Sequence, residues 1–534
     1  MSSIFKTKTF SNLGLQGHEI TIEADGNHAL PSIEIIGLPD AAVKESKERL
    51  RATFRHAGIE LPRHKIILNL SPSDTKKVGT SLDLAMAVAI LLLIHDGKIH
   101  HHDHITHGMF FGELGLDGNI KRVNGLLPSV INAMKHGYKQ FFVPAENIHE
   151  LEYVHDIVIY PLNNFEQVVA YFLENKEIPT ITQAKNIHDL IAQRNYETDF
   201  QQVKGQFLAK RALSIAAAGL HNLLMVGWPG CGKTMLSKAL HSILPPLAFE
   251  EILEVSQIYS VVGKLTKHQP LITTRPFRQI HHTASKISIV GWGSQLTPGE
   301  VSLAHKGILF FDELTEFPRE TLEVLRQPLE DKNITISRVA GTIQYPANFM
   351  FVAAMNPCKC GYYKDPEKQC ICSLLDIRKY QNKISWPLLD RIDMILEIPR
   401  ENVDKILDTI PQASSEEIRK KVLNARKIQQ KRFSNFSANS WLHSTLPIPR
   451  SPLTIFSNAQ ITSKHIDQLI PLDEKSKEFL KDAARKLTLS PRVIHRTIKL
   501  ARTIADMESL ENVEIVHLAE ALQYRNKTMF VNQE

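Results

Sequence analysis

The sequence predicts an α/β protein with a parallel sheet at its centre, and three apolar runs of strand length carry that expectation. Asn222 to Val226, Ile308 to Phe311 and Phe349 to Ala354 are short, rich in aliphatic and aromatic residues, and each ends in a polar signature. Such runs read as buried strands, and ligands of open parallel sheets bind beyond the strand C-termini. The first run leads into Gly227-Trp228-Pro229-Gly230-Cys231-Gly232-Lys233-Thr234, the second into Asp312-Glu313 and the third into Asn356-Pro357.

The octet from Gly227 to Thr234 has the glycine and lysine spacing of a phosphate-binding loop, and the helical stretch Met235 to Leu244 follows it as the motif requires. Gly227, Trp228, Pro229, Gly230, Cys231 and Gly232 form the curl whose backbone surrounds the phosphates of ATP. Lys233 then reaches the β and γ phosphates, and Thr234 offers a hydroxyl to Mg²⁺. Asp312 is the second expected Mg²⁺ ligand, and Glu313 the general base that orients water. Asn356 ends the third strand, where its amide can hydrogen-bond the attacking water or the γ-phosphate; taken alone it is a turn residue. Arg391, in Trp386-Pro387-Leu388-Leu389-Asp390-Arg391-Ile392-Asp393, either acts on a phosphate in a neighbouring subunit or pairs with Asp390 or Asp393. Arg492 follows Ser490-Pro491 at the start of a helical stretch from Val493 to Met507, a place from which it can sense nucleotide.

Around this centre the chain divides into four parts. Residues 1–175 alternate short apolar runs with helical stretches, an α/β domain of their own; 176–200 are polar and read as a linker; 201–400 are the nucleotide-binding core; 401–534 are helical. Ser414 and Glu417 make a capping box for a basic helix through Arg432, and Ser434 to Pro452 reads as a loop.

Composition narrows the class. With 534 residues, 43% hydrophobic and 22% charged, the chain has material for three to four packed domains and is too apolar to be mainly disordered. Residues 1–200 carry 19 positive and 24 negative charges, and the rest 44 and 33. That basic C-terminal part is either a solvated face or the footprint of a polyanion such as nucleic acid. The N-terminus lacks the apolar core of a signal peptide, and the longest apolar run, Leu84 to Ile94, is too short to span a membrane, so a cytoplasmic protein without a membrane partner is expected. Four of the five cysteines, Cys358, Cys360, Cys370 and Cys372, cluster in one loop. They are either four ligands of a tetrahedral Zn²⁺ or free thiols. The histidines His95, His100, His101, His102, His104 and His107 fit no metal spacing and read as a solvated loop.

Further motifs carry a resemblance. With the phosphate loop, Arg275-Pro276-Phe277-Arg278, His281-His282-Thr283-Ala284-Ser285, Pro298-Gly299-Glu300-Val301-Ser302-Leu303-Ala304-His305, Leu325-Arg326-Gln327-Pro328-Leu329-Glu330 and Ala501-Arg502-Thr503-Ile504-Ala505-Asp506 make the chain resemble the ComM/YifB group of magnesium-chelatase-like AAA+ ATPases along nearly its whole length. The resemblance implies a P-loop AAA+ core with a helical C-terminal lid, Asn356 as sensor 1, Arg391 as arginine finger, Arg492 as sensor 2 and a homo-hexameric ring. It implies ATP-driven branch migration on single-stranded and branched DNA in natural transformation, with recombination proteins as further partners. In similar rings a hairpin such as Glu330 to Arg338 points into the pore, making Lys332 and Arg338 candidate DNA contacts, with Lys264 and Lys267 beside them.

The N-terminal part resembles the Lon-protease-like (ribosomal S5 domain 2-like) fold through Gly37-Leu38-Pro39-Asp40, Gly112-Glu113-Leu114 and Val143-Pro144-Ala145-Glu146-Asn147. Ser81 stands where that resemblance puts a nucleophile. The stretch Gly125 to Ser129, similar to the lysine-bearing part of Lon, offers Leu127 and Ser129 instead of a base. The domain is thus expected to be structural or DNA-handling. The rival functions are a magnesium-chelatase-like subunit remodelling a protein partner and a Lon-like ATP-dependent protease.

Overall fold

A computed structural model describes residues 5–95, 97–191, 196–291, 297–338, 341–401, 412–441, 457–525 and 529–531. The N-terminal part opens with β1 (Phe5–Leu13), β2 (Gln16–Asn27), β3 (Ser32–Ile36) and β4 (Lys65–Ser71), ordered β1-β2-β4-β3. The neighbours β1–β2 and β2–β4 are antiparallel, while β3 and β4 run parallel because α1 (Ala41–His56) crosses between them. Asp40 caps α1, its carboxylate accepting from the Val43 amide at 2.8 Å. The run Leu84 to Ile94 lies in α2 (Asp83–Ile94), which is buried on every side against the sheet. No helix among the described residues is long and apolar enough to cross a membrane. A second, parallel sheet joins β5 (Gly108–Phe110), β6 (Gln140–Pro144) and β7 (Val158–Leu162), with α3 (Leu126–Lys135) and α4 (Phe165–Glu174) in the same part of the chain. Within 176–200, Ile181 exchanges both backbone hydrogen bonds with Ile159 at 3.0 Å. Lys185 pairs with Glu152 at 2.8 Å, so this stretch is stitched to the N-terminal part.

The central sheet joins β8 (Leu223–Gly227), β9 (Phe277–Ile280), β10 (Ile308–Phe311), β13 (Met350–Met355) and β14 (Met394–Ile398). Its order is β9-β10-β13-β8-β14 and every pair is parallel. A hairpin of β11 (Asn333–Arg338) and β12 (Gly341–Pro346) precedes β13. The longer helices of this core are α5 (Phe207–Gly219), α6 (Lys233–Ile243) and α7 (Phe249–Val261). The C-terminal part is helical, with α8 (Ser415–Trp441), α9 (Glu474–Lys486), α10 (Pro491–Met507) and α11 (Ile515–Gln523). The helix expected to end at Arg432 continues to Trp441, since no Pro or Gly interrupts it there and Phe433 and Phe436 pack on the shared core. The remainder of the expected loop, 442–452, lies outside the described residues.

One apolar cluster runs through α5, α6, one face of the sheet, α8 and α10, so the C-terminal helices are packed directly on the core. Another docks the N-terminal part: Ile252, Val255 and Ile258 of α7 pack with Leu126, Leu127 and Val130 of α3. Inside that contact, buried Glu150 accepts from Ser260 Oγ and from Asn147 Nδ2, each at 2.5 Å. Gly14, in the β1–β2 turn at φ +72°, presses on the hairpin, since a Cβ there would lie 2.3 Å from Ile343.

At the foot of the central sheet, buried Asp393 accepts from the Asn222 amide at 2.8 Å and from Arg496 of α10, with His221 Nδ1 3.7 Å away. Burial opposes its charge, but Arg496 and His221 hold the carboxyl far below the usual carboxylate range. A depressed acid contributes stability fully above its unfolded value, about 4, and loses it as pH falls further. Asp393→Asn removes the buried half of the pair and leaves the partly buried Arg496 without its countercharge, so we expect a loss of about 3 kcal/mol at neutral pH, measured by urea unfolding. The gap to the parent should narrow below about pH 4.

Candidate nucleotide site and cysteine cluster

Gly227 ends β8 and Lys233 begins α6, so the phosphate loop spans the gap between a buried strand and a helix N-terminus. Gly230 and Gly232 take φ of +80° and +86°, left-handed values that turn the backbone inward at no steric cost. Lys233 Nζ donates to Gly227 O at 2.7 Å, to Trp228 O at 3.0 Å and to Asn356 Oδ1 at 3.1 Å. Burial pushes its ammonium below the usual value, against the pull of Cys231 and Asp312. The Thr234 hydroxyl donates to Asp312 Oδ2 at 2.8 Å, which places a hydroxyl and a carboxylate side by side as a divalent cation requires. Lys233, Thr234, Asp312, Glu313 and Asn356 thus converge beyond the C-terminal ends of β8, β10 and β13.

Glu313 stands at φ +51°, a left-handed conformation that costs a non-glycine residue roughly 1–2 kcal/mol. Strain of this kind clusters at functional sites. Its exposed carboxylate lies 3.7 Å from His282 Nδ1, a neighbour that sequence motifs mark without assigning it a task.

Arg391 and Arg492 are elsewhere. Met394 is level with Leu223 at the start of β8, so the residues just before β14 lie at the opposite end of the sheet from Gly227. Four steps of roughly 3.3 Å separate those ends by about 13 Å. There Arg391, buried, donates to Pro387 O at 2.7 Å and to the Glu330 carboxylate. Arg492 reaches the same carboxylate at 3.2 Å. Neither anticipated partner holds Arg391: Asp393 takes Arg496 instead. Burial tends to raise the Glu330 carboxyl, yet the arginines hold it below its usual value. Glu330 had no role in the sequence-based reading, and only the fold brings it to the two arginines.

The four clustered cysteines lie with their sulfur atoms all within 4.8 Å of one another. Cys358 is 3.4 Å from Cys360 and 3.7 Å from Cys370, and Cys360 is 3.5 Å from Cys370. A tetrahedral Zn²⁺ with bonds of about 2.3 Å has sulfur–sulfur edges of roughly 3.8 Å, so the residues fit that ion. The loop leans on the phosphate loop: Trp228 Nε1 donates to Tyr363 O at 3.0 Å. A Cβ on Gly361 would approach Pro229 Cγ to 2.5 Å.

The remaining candidates scatter. Lys332, at φ +58°, is at the base of the hairpin rather than its tip, and burial pushes its ammonium down to about 8. Half-buried there, it lines the cleft between the sheet and the C-terminal helices instead of standing at the hairpin tip. Arg338 ends β11, and its side chain lies outside the described residues. Lys264 and Lys267 are exposed on the loop after α7, where Leu265 O accepts from Arg122 at 2.7 Å. Of the clustered histidines, His100, His102 and His107 are exposed as expected, whereas His101 and His104 stack on Tyr171 with ring centroids 4.2 and 5.9 Å away. Leu127 is fully buried, and Ser129 is tied to Gly125 O at 2.9 Å and to Asn12 at 2.6 Å.

Comparison with known proteins gives three family matches: magnesium chelatase, subunit ChlI, over 199–406; subunit ChlI of Mg-chelatase over 22–147; and the ChlI C-terminal part over 412–525. The chain is 36% identical over 517 residues to the competence protein ComM of Haemophilus influenzae, covering 96% of each. It is 37% identical over 521 residues to YifB of Escherichia coli, covering 97% of this chain and 96% of that one. A shorter match, 29% over 118 residues, is to Lon protease of Buchnera aphidicola, covering 21% of this chain and 14% of Lon.

Glu313→Gln keeps the phosphate loop and Asp312 intact while removing a base, so ATP affinity should change little and turnover should fall by about a hundredfold or more. Equal losses in a binding titration and a turnover assay would remove Glu313 from that role.

Proposed function

The chain belongs to the magnesium-chelatase-like family that includes ComM and YifB, and we propose from that premise that it is an ATP-driven DNA motor, a hexameric AAA+ ring promoting branch migration in natural transformation and recombination. One observation supports the ring above all. The phosphate loop and the arginines Arg391 and Arg492 stand at opposite ends of one sheet, so a complete catalytic set needs two subunits. In this reading the loop and Lys233 hold the triphosphate, Thr234 and Asp312 hold Mg²⁺, which neutralises phosphate charge, and Glu313 takes a proton from water oriented by Asn356. Arg391 and Arg492 of the neighbouring subunit stabilise the transferred phosphate, which requires that Glu330 release them.

DNA is favoured over a porphyrin-bearing partner by the full-length likeness to a competence protein and by the basic C-terminal part. Backbone contacts suit a motor that must travel along any sequence, and they make binding salt-dependent rather than sequence-dependent. Arg338 at the hairpin end and the exposed Lys264 and Lys267 are the DNA contacts of this reading. The N-terminal part is Lon-like in fold in this reading and serves as a structural or DNA-handling module. Cys358, Cys360, Cys370 and Cys372 hold Zn²⁺, which supplies a rigid cross-link for the loop that supports Trp228 and Pro229. The protein works in the cytoplasm, beside recombination proteins. The matches to ChlI favour a second reading, a chelatase-like ATPase remodelling a protein partner.

Labelled three- and four-stranded junctions, with Lys233→Ala as control, test the motor. Branch movement that needs ATP and Lys233 is expected, and absence of DNA-stimulated turnover on single strands, duplexes and junctions would move the chelatase-like reading ahead. Mixed Lys233→Ala and Arg391→Ala protomers should regain part of the ATPase activity each lacks. Co-assembly without recovery would show that Arg391 does not act across the interface. Elemental analysis of protein purified without chelator should find about one zinc per chain, and Cys358→Ser with Cys370→Ser should lower it. Substoichiometric metal with normal folding of both variants would leave the cysteines as free thiols.

A further inference from the structure

Between the foot of the central sheet and the C-terminal helices lies a cavity of about 430 Å³ that no step above uses. Asn222, Gly307 and Met350 line its sheet side, and the segment Ala459 to Ser463 with Arg496 and Lys499 of α10 its other side. Three carboxylates face it, and each is committed. Glu251 pairs with Arg275 at 3.0 Å and with Lys306 at 3.6 Å, Asp393 with Arg496, and Glu330 with Arg391 and Arg492. The lining cations Arg275, Lys306 and Arg496 are thereby balanced. Lys332 and Lys499 are left over: neither has a carboxylate at ion-pair distance among the described residues, and Lys499 donates only to Ala459 O at 3.3 Å.

Burial pushes both ammonium groups down to about 8, and Lys499 also feels the charge of Lys332. Asp393 attracts both but is already paired, and two half-buried cations without an ion pair of their own are costly unless an anion joins them. We propose that this cavity binds a small phosphate-bearing anion, held by Lys332 and Lys499 with Arg496 beside them, at the foot of the sheet and apart from the phosphate loop. A phosphate group offers the needed negative charge and acceptor oxygens for both ammonium groups. The volume lies in the range of small-molecule sites, enough for a phosphorylated metabolite of mononucleotide size. An enclosed space between two parts of one chain suits such a ligand better than a nucleic-acid strand. The site borders Glu330, so its ligand stands next to the carboxylate that holds Arg391 and Arg492.

Calorimetric titration of full-length Lys233→Ala protein with pyrophosphate tests this, because that background weakens binding at the phosphate loop. One site per chain is expected. Adding Lys332→Gln and Lys499→Gln should weaken it at least tenfold, while Lys499→Arg in place of the double change should stay within about threefold. Removing two facing charges relieves repulsion, so the double variant should melt no lower than its parent; Lys499→Gln alone gives the same readout if it does. No pyrophosphate binding, or binding that the double and single glutamine variants leave unchanged, overturns the site. An oligonucleotide that binds there in preference to pyrophosphate overturns the small-anion assignment.

Discussion

A buried carboxylate at the foot of the sheet fixes the geometry on which the rest depends. Asp393 joins the Asn222 amide just before β8, its own position just before β14, and Arg496 on α10. A lone carboxylate there would pay heavily for leaving water, and Arg496, His221 and the Asn222 amide together offset that penalty. Each functional group is measured from this point. The far end of β8 is the phosphate loop, Arg391 stands two residues before Asp393, and Arg492 stands one helical turn before Arg496. One interaction therefore fixes the arginine end of the sheet to the strand whose far end is the phosphate loop. It also anchors the C-terminal helices to the strand that carries the loop.

What could be read directly from the residues is what local spacing determines. The loop from Gly227 to Thr234, the acidic pair and Asn356 each follow an apolar run, and a parallel sheet places strand ends together without further information. The edge strand β9, Phe277–Ile280, carries Arg278 and Gln279 among its four residues and gives no apolar signal. Glu330 was equally silent, because its partners lie 61 and 162 residues away in the chain. Charge in a hairpin reads as exposed, whereas Lys332 stands at the base of this one, half-buried beside the C-terminal helices. For α8, serine and asparagine read as a loop, yet Phe433 and Phe436 carried the helix onward by packing.

The N-terminal part shows how one stretch serves packing in place of chemistry. The segment Gly125 to Ser129, similar to the lysine-bearing part of Lon, begins α3, and α3 is the helix on which α7 rests. Leu127 is buried in that contact, and its amide meets Ser260 Oγ at 3.4 Å. A charged lysine there would have to be desolvated against Ile258 and its neighbours. At position 127 an apolar side chain serves the docking surface, and a lysine there would weaken it.

The lean of the cysteine loop on the phosphate loop has a thermodynamic side. Trp228 donates to Tyr363, and Gly361 abuts Pro229, so ordering either loop limits the freedom of the other. Linked equilibria of this kind are reciprocal. Whatever factor a metal on the four sulfurs contributes to nucleotide affinity, nucleotide returns to metal retention in equal measure. Where that factor is favourable, chelator at equilibrium would leave more metal on the nucleotide-bound protein than on the resting one, and the two loops would be coupled without any movement of the sheet between them.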